Sequence, residues 1–515
     1  MTAATKPVAD VEVPEIALTP FVLQRALELG DRPALIDGFT GEELTFAQVY
    51  DQVHRLAGGL QARGFEKGDV LAIFAPNMPA YAVAFHGTTL AGGTVTTINP
   101  VYNTTELEHQ LADADAKCLI TVPDAVERAR EAAGTCGIED SVVVIGENSW
   151  DELLASDPIV DPPEIDVYED IAALPYSSGT TGSPKGVMLT HHNLVANLVQ
   201  SEDPLGMDDD ETVIGVLPFF HIYGLTCILN LSLASGVPVV TMGRFELERF
   251  LSLIAEHRVT RVWAVPPIVL ALAQSPLVDD YDVSSIRKIV SGAAPLGEDL
   301  QRTTAERLGC RLVQGYGMTE SSPVTHVGVG ETDLPGAIGP AIPGTECRIV
   351  AVESGADAAA GERGELWIRG PQVMKGYLNR PEATSETVDA DGWLRTGDIA
   401  IADDGGCCRI VDRVKELIKY KGFQVAPAEL EALLISHPKI ADAAVVPVPD
   451  EAAGELPKAF VVLAGEISPD EIKAFVAEQV SSYKQIRLVE VIDEIPKSAS
   501  GKILRRVLRD QISAG

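Results

Sequence analysis

The sequence predicts an α/β protein built as two doubly wound sheets, a small antiparallel β-barrel and a compact α+β unit. Three observations carry that expectation. Strand-length apolar runs alternate with amphipathic helical patterns over residues 20–160 and again over 212–300, the order that yields parallel sheets with helices on both faces. Between 335 and 410 the pattern changes to short strands with frequent glycine turns, as in Gly364-Glu365-Leu366-Trp367-Ile368-Arg369-Gly370. Finally, 515 residues exceed what one hydrophobic core can organise, so several units are required.

Taken in order, Thr45 opens an amphipathic helix that runs to residue 60, a buried strand follows over 70–75 and stops at Pro76-Asn77, and a second helix covers 106–114. A strand over 171–176 leads into a Ser/Gly-rich loop, and 187–190 returns as a strand with Thr190 capping the next helix. Apolar runs at 213–217, 237–241 and 262–265 supply the second sheet. From residue 414 the α+β unit begins. Its clearest local signal is Ser468-Pro469-Asp470-Glu471, a capping box with proline at the first helical position.

Composition narrows the function classes. With 46% hydrophobic and 22% charged residues, the chain reads as a soluble globular protein. Residues 1–20 hold only Lys6 as a cation and no apolar run, and no stretch has the ~18 apolar residues of a membrane span, so a cytoplasmic protein without membrane insertion is expected. Seven cysteines without CxxC spacing argue for reduced thiols rather than disulfides or zinc. A formal charge of −35 repels nucleic acid, so any nucleotide site must supply its own local cations and backbone donors.

Ser177-Ser178-Gly179-Thr180-Thr181-Gly182-Ser183-Pro184-Lys185-Gly186 has that equipment. Three glycines free the backbone to turn N–H groups toward an anion, five hydroxyls donate, and Lys185 adds a mobile charge. It is not a P-loop: Pro184 stands where the second required glycine belongs, Gly186 follows the lysine, and a strand rather than a helix comes next.

Further motifs lie downstream: Pro218-Phe219-Phe220-His221-Ile222-Tyr223-Gly224, Gln314-Gly315-Tyr316-Gly317-Met318-Thr319-Glu320, Gly392-Trp393-Leu394-Arg395-Thr396-Gly397-Asp398, the run from Val411 to Gln424, and Pro496-Lys497-Ser498-Ala499-Ser500-Gly501-Lys502. Together with the loop they resemble the acyl-adenylate-forming (AMP-binding) superfamily, and within it the 4-coumarate–CoA ligase group, over roughly residues 20–512. The resemblance implies a large N-terminal domain of two α/β subdomains plus the barrel over 1–411, a hinge at 412–415 and a mobile C-terminal domain over 416–515. It also implies ATP, magnesium and coenzyme A.

The resemblance distributes the roles. Ser177, Ser178, Gly179, Thr180, Thr181, Gly182 and Lys185 would hold phosphate, with Gln314, Gly315, Tyr316 and Thr319 beside the nucleotide. Asp398, an acceptor-only group, would take the ribose hydroxyls with Arg413. Glu320 would be the magnesium ligand, since a hard dication bridging phosphates needs few carboxylates. The reaction brings two anions together, so neutralisation is its main demand. Lys502 would bridge the carboxylate and α-phosphate oxygens, with Lys419 and Gln424 close to the adenylate. Lys415 falls at the hinge, Lys421 and Gly422 border the pantetheine tunnel, and Arg244 is a candidate for a CoA phosphate.

His221, which outside such a motif would read as an ordinary core histidine, becomes a gate beside the acyl carboxylate. Tyr223, Gly292, Ala293, Gly315, Pro323 and Val324 complete the acyl pocket. No aspartate near His221 offers to pair a substrate amine, which disfavours an α-amino acid. The sequence around 265–273 and Ser291-Gly292-Ala293-Ala294-Pro295-Leu296 matches the aryl-propenoate group. Val290 departs from the lysine common in plant members and shifts the expectation toward an unsubstituted cinnamate or a medium-chain fatty acid. A fatty acyl-CoA synthetase, a luciferase-like adenylating enzyme and a non-ligase ATP-binding protein are the alternatives.

Overall fold

A computed structural model of the chain describes residues 10–177, 184–330, 333–413, 416–421, 423–450, 453–480, 482–498 and 501–514. One sheet runs Val324–Val327, Arg311–Gly317, Lys288–Ser291, Arg261–Ala264, Val213–Gly215, Val239–Thr241, Pro33–Asp37, Glu43–Thr45, parallel except at its two edges. The other runs Gly376–Tyr377, Lys185–Thr190, Ile171–Ala173, Thr94–Thr97, Val70–Phe74, Ala116–Thr121, Val142–Val144, with Tyr176–Ser177 also paired to Lys185–Thr190. Its parallel part lies between Ile171–Ala173 and Val142–Val144.

The two sheets share one core. Helix Pro79–Leu90 is buried on nearly every side, the mark of a helix sandwiched between layers. Its Tyr81 meets Phe219 edge-to-face at 5.7 Å, tying it to the segment that precedes His221. Thr45 caps Phe46–Ala62 through a complete capping box with Gln48, and Thr190 and Ser468 do the same for His191–Leu205 and Pro469–Ala477. Among the described residues no helix is long and apolar enough to cross a membrane.

Where the barrel was expected, Glu346–Val350, Arg363–Arg369, Leu394–Ala402 and Cys408–Arg413 form an antiparallel sheet. Its two edge strands curl toward each other, because Cys347 on the first and Cys408 on the last meet within 4.8 Å, with His326 alongside. The Cys347 contact and burial push the Cys408 thiol well above its usual range. Such thiols favour the protonated, core-filling state over metal binding.

The smaller C-terminal domain has its own core and a sheet ordered Phe423–Val425, Ile418–Tyr420, Gly454–Leu463, Ile440–Asp450, with Leu488–Val491 parallel to Gly454–Leu463.

Candidate active site

The Ser/Gly-rich loop expected to hold phosphate is closed at its base by a hairpin. Tyr176 and Ser177 pair with Gly186 and Lys185, so both ends of the loop leave from one ladder. Ser178, Gly179, Thr180, Thr181 and Gly182 lie outside the described residues. Ser177 donates from Oγ to Glu320 Oε1 at 3.0 Å, and the Tyr377 hydroxyl donates to the same oxygen at 2.8 Å. Glu320 sits in the short helix Thr319–Ser321 and is buried. Lys185 Nζ lies over the Tyr377 ring, 4.8 Å from its centroid. Tyr377 and its bond to Glu320 were not anticipated from the sequence.

Strand Arg311–Gly317 carries the next group. The Tyr316 hydroxyl donates to Asp398 Oδ2 at 2.6 Å, which joins the expected nucleotide and ribose residues. The Arg413 backbone stands opposite Asp398 in the ladder. Gln314, on the same strand, is held by the protein itself. Its amide accepts from Leu296 N at 2.9 Å and donates to Leu296 O at 3.1 Å and Gln301 Oε1 at 2.9 Å. Its side chain is therefore a buried strut for the loop after Ser291.

That loop carries residues expected to line the acyl pocket. Tyr223 donates its hydroxyl to Val290 O at 3.0 Å and lies against Gly292, where an added Cβ would fall 3.1 Å from the ring. Only glycine fits there without moving the tyrosine. Ala293 is exposed and holds φ 67°, a conformation costly for a side-chain-bearing residue. Gly315 is different: a Cβ there would meet Val290 Cγ1 at 3.6 Å and His326 O at 3.8 Å, ordinary van der Waals contacts that a side chain's first carbon can make without displacing a neighbour. Pro323 and Val324 are pinned from behind. Pro323 O accepts from Met318 N and Ser321 Oγ, and Asn197 bonds both the N–H and the carbonyl of Val324.

His221 accepts the Tyr223 N–H at Nδ1, 3.2 Å away, which leaves the proton of the neutral ring on Nε2. Burial, and then the charge of Lys502, lower its pKa to about 4. The imidazole is thus neutral at pH 7, a donor that neither carries charge into the site nor competes for phosphate.

Lys502 comes from the C-terminal domain, and its loop is braced internally. Lys502 N donates to Ser498 Oγ at 3.1 Å, and Ser498 N donates to Lys502 O at 2.8 Å. The same loop packs on the large domain, where a Cβ at Gly501 would lie 3.3 Å from Val265 Cγ2. Lys419 and Lys421 stay exposed. Lys419 N bonds Glu455, and Lys421, at φ 49°, bonds Ala453 O through its backbone. Arg244 is exposed and paired with Glu246 at 2.5 Å. Lys415, Gly422 and the side chains of Arg413 and Gln424 lie outside the described residues.

Comparison with known proteins adds a second line. The AMP-binding enzyme family model matches residues 23–378, and the AMP-binding enzyme C-terminal domain model matches 429–502. A 4-coumarate-CoA ligase 1 of Narcissus pseudonarcissus is 45% identical over 98% of this chain and 95% of its own length. A 4-coumarate–CoA ligase 1 of Petroselinum crispum is 44% identical over 98% and 96%. The crystal structure of ATP-bound MatB from Rhodopseudomonas palustris superposes with a TM-score of 0.89 at 28% identity, covering 96% of this chain and 99% of that one.

Proposed function

This chain belongs to the AMP-binding enzyme family, and from that premise we propose that it is an ATP-dependent carboxylate–CoA ligase acting on an aryl-propenoate. In the first step a carboxylate oxygen attacks the ATP α-phosphorus, and the bond to pyrophosphate breaks. In the second the CoA thiolate attacks the acyl carbonyl, and the bond to AMP breaks. The observation that carries the reading is Lys502 reaching from one domain into the field of neutral, buried His221 on the other. A cation placed there can neutralise carboxylate and phosphate oxygens as they converge, and His221 Nε2–H can hold the acyl carboxylate.

Magnesium fits the same site. Glu320 presents a buried carboxylate whose Oε1 is already held by two hydroxyls, which leaves Oε2 for a hard cation shared with the triphosphate. When bound, magnesium would supply charge neutralisation of the departing pyrophosphate. Residues 412–415 would act as the hinge between the domains. Rotation about it would withdraw Lys502 and bring Lys421 and Gly422 to the thiol path.

Val290 supports an unsubstituted ring. It faces Gly315 with a methyl group and spends its carbonyl on Tyr223, so it offers no side-chain donor or acceptor to a ring hydroxyl. CoA-dependent AMP release should therefore give a higher kcat/KM for cinnamate than for 4-coumarate. A preference for medium-chain fatty acids would overturn the assignment. Within that pocket Gly315→Leu should cut kcat/KM for cinnamate about 100-fold while sparing acetate-sized acids, because the backbone tolerates the change and only the ring space is filled. Equal loss for every acid would point to a damaged nucleotide site instead.

A further inference from the structure

Lys185 and Glu320 bring opposite charges to one site, yet among the described residues neither joins an ion pair. Tyr377 holds both. Its ring face carries Lys185 Nζ at 4.8 Å from the centroid, and its hydroxyl donates to Glu320 Oε1 at 2.8 Å. Only 7% of Tyr377 is exposed.

The placement is fixed by the backbone. Tyr377 pairs with Val187 in the ladder that also carries Lys185, so the ring cannot drift relative to the lysine stem. Ser177 shares the same Glu320 oxygen at 3.0 Å. Both donors therefore use Oε1, and Oε2 takes no hydrogen bond among the described residues.

We propose that Tyr377 is a positioning residue that keeps the loop cation and the metal-binding carboxylate apart, each set for its own half of a magnesium–nucleoside triphosphate. The proposal rests on reading Glu320 as the magnesium ligand and residues 177–186 as the phosphate loop. Lysine is a point charge on a flexible four-carbon stem, and without the ring it would swing onto the nearest carboxylate. The incoming nucleotide would then have to break that pair. Attraction to a ring face is weak enough to release the lysine to a polyphosphate, which binds ammonium far more strongly.

Two substitutions separate the parts. Tyr377→Phe keeps the ring and loses the hydroxyl; Tyr377→Leu loses both. With manganese as the metal and a non-hydrolysable ATP analogue, electron paramagnetic resonance on the full chain reads metal affinity, and calorimetry reads binding of the analogue without metal. Tyr377→Phe should weaken manganese binding about tenfold, the size of one lost charge-assisted hydrogen bond, and leave metal-free nucleotide affinity unchanged. Tyr377→Leu should weaken both. Adding Lys185→Met should cost less nucleotide affinity in the Tyr377→Leu background than in the wild type, since the lysine there is already misplaced.

A merely structural tyrosine would lower the melting temperature and leave the ratio of the two affinities untouched. Normal manganese binding by Tyr377→Phe, or identical behaviour of the two variants, overturns the proposal. Glu320→Gln serves as the control. If it too leaves manganese binding intact, the magnesium assignment has failed and the Tyr377 role falls with it. If it weakens binding while Tyr377→Phe does not, only the Tyr377 role has failed.

Discussion

Lys502→Ala should slow acyl-adenylate formation by about 10²–10³, the cost of one preorganised donor aimed at developing charge, and leave transfer of a supplied acyl-AMP to CoA near its normal rate. The backbone of the loop should survive the change. Its backbone bonds run from Lys502 N and O to Ser498, and its contact with Val265 comes from Gly501, and these do not involve the ammonium group. His221 supplies an independent readout. Lys502 is the second cause of its low pKa after burial, so removing the cation should move the imidazole from about 4 part of the way back toward 6.5. A His221 titration followed by NMR would detect that shift without any turnover. Equal loss in both half-reactions would contradict a Lys502 that acts in the first step and is carried away for the second. An unmoved His221 would contradict its placement beside the imidazole.

Much of this arrangement can be read from the sequence wherever the cause is local. The capping residues Thr45, Thr190 and Ser468 satisfy backbone donors three residues away, and all three helices start at them. The expected strand over 171–176 failed for an equally local reason. Pro175 has no N–H, so the ladder breaks into Ile171–Ala173 and Tyr176–Ser177 while the Pro175 carbonyl still accepts from Val187. The run over 213–217 stops early for a reason no window contains. Asn77, far back in the chain, donates to both Gly215 O and Leu217 O and turns the segment toward His221. Gln314 and Tyr377 belong with it, because the bonds that fix them, from Gln314 to Leu296 and Gln301 and from Tyr377 to Glu320, join residues far apart in the chain. The pairing of Cys347 with Cys408 is likewise set by the curl of a sheet, which cysteine spacing does not encode.

Arg505→Met should destabilise the C-terminal domain by about 3–5 kcal/mol, the usual cost of removing one partner from a buried ion pair. Arg505 lies three residues beyond Lys502 and contacts Glu416 Oε2 and Glu431 Oε2, each at 2.5 Å, with side chains only 12%, 16% and 9% exposed. Methionine preserves most of the stem, so the loss falls on the charge. The two carboxylates would be left facing each other, with the Val445 N–H at 2.8 Å the one remaining donor to Glu431 among the described residues. The effect has a direction in pH. Burial already raises the Glu431 pKa, and Arg505 is the largest influence pulling it back. Without the arginine the folded-state value rises further above the unfolded one. A carboxyl with a raised folded-state pKa favours folding while protonated, below the unfolded value near ~4.3, and that advantage is lost as pH rises through the folded value. The deficit should therefore be small at and below the unfolded value and grow as pH rises through the folded-state value. Amide exchange across Pro427–Ile435 and Arg505–Ala514 reads the domain directly, and the double variant Arg505→Met/Glu431→Gln should recover part of the protection. Glu416 follows the proposed hinge and Arg505 follows the Lys502 loop, so the same pair would couple the proposed domain rotation to the position of the lysine. Exchange in Arg505→Met that is unchanged, or that worsens toward acid, would mean the charges are solvated and the lysine loop is held by packing alone.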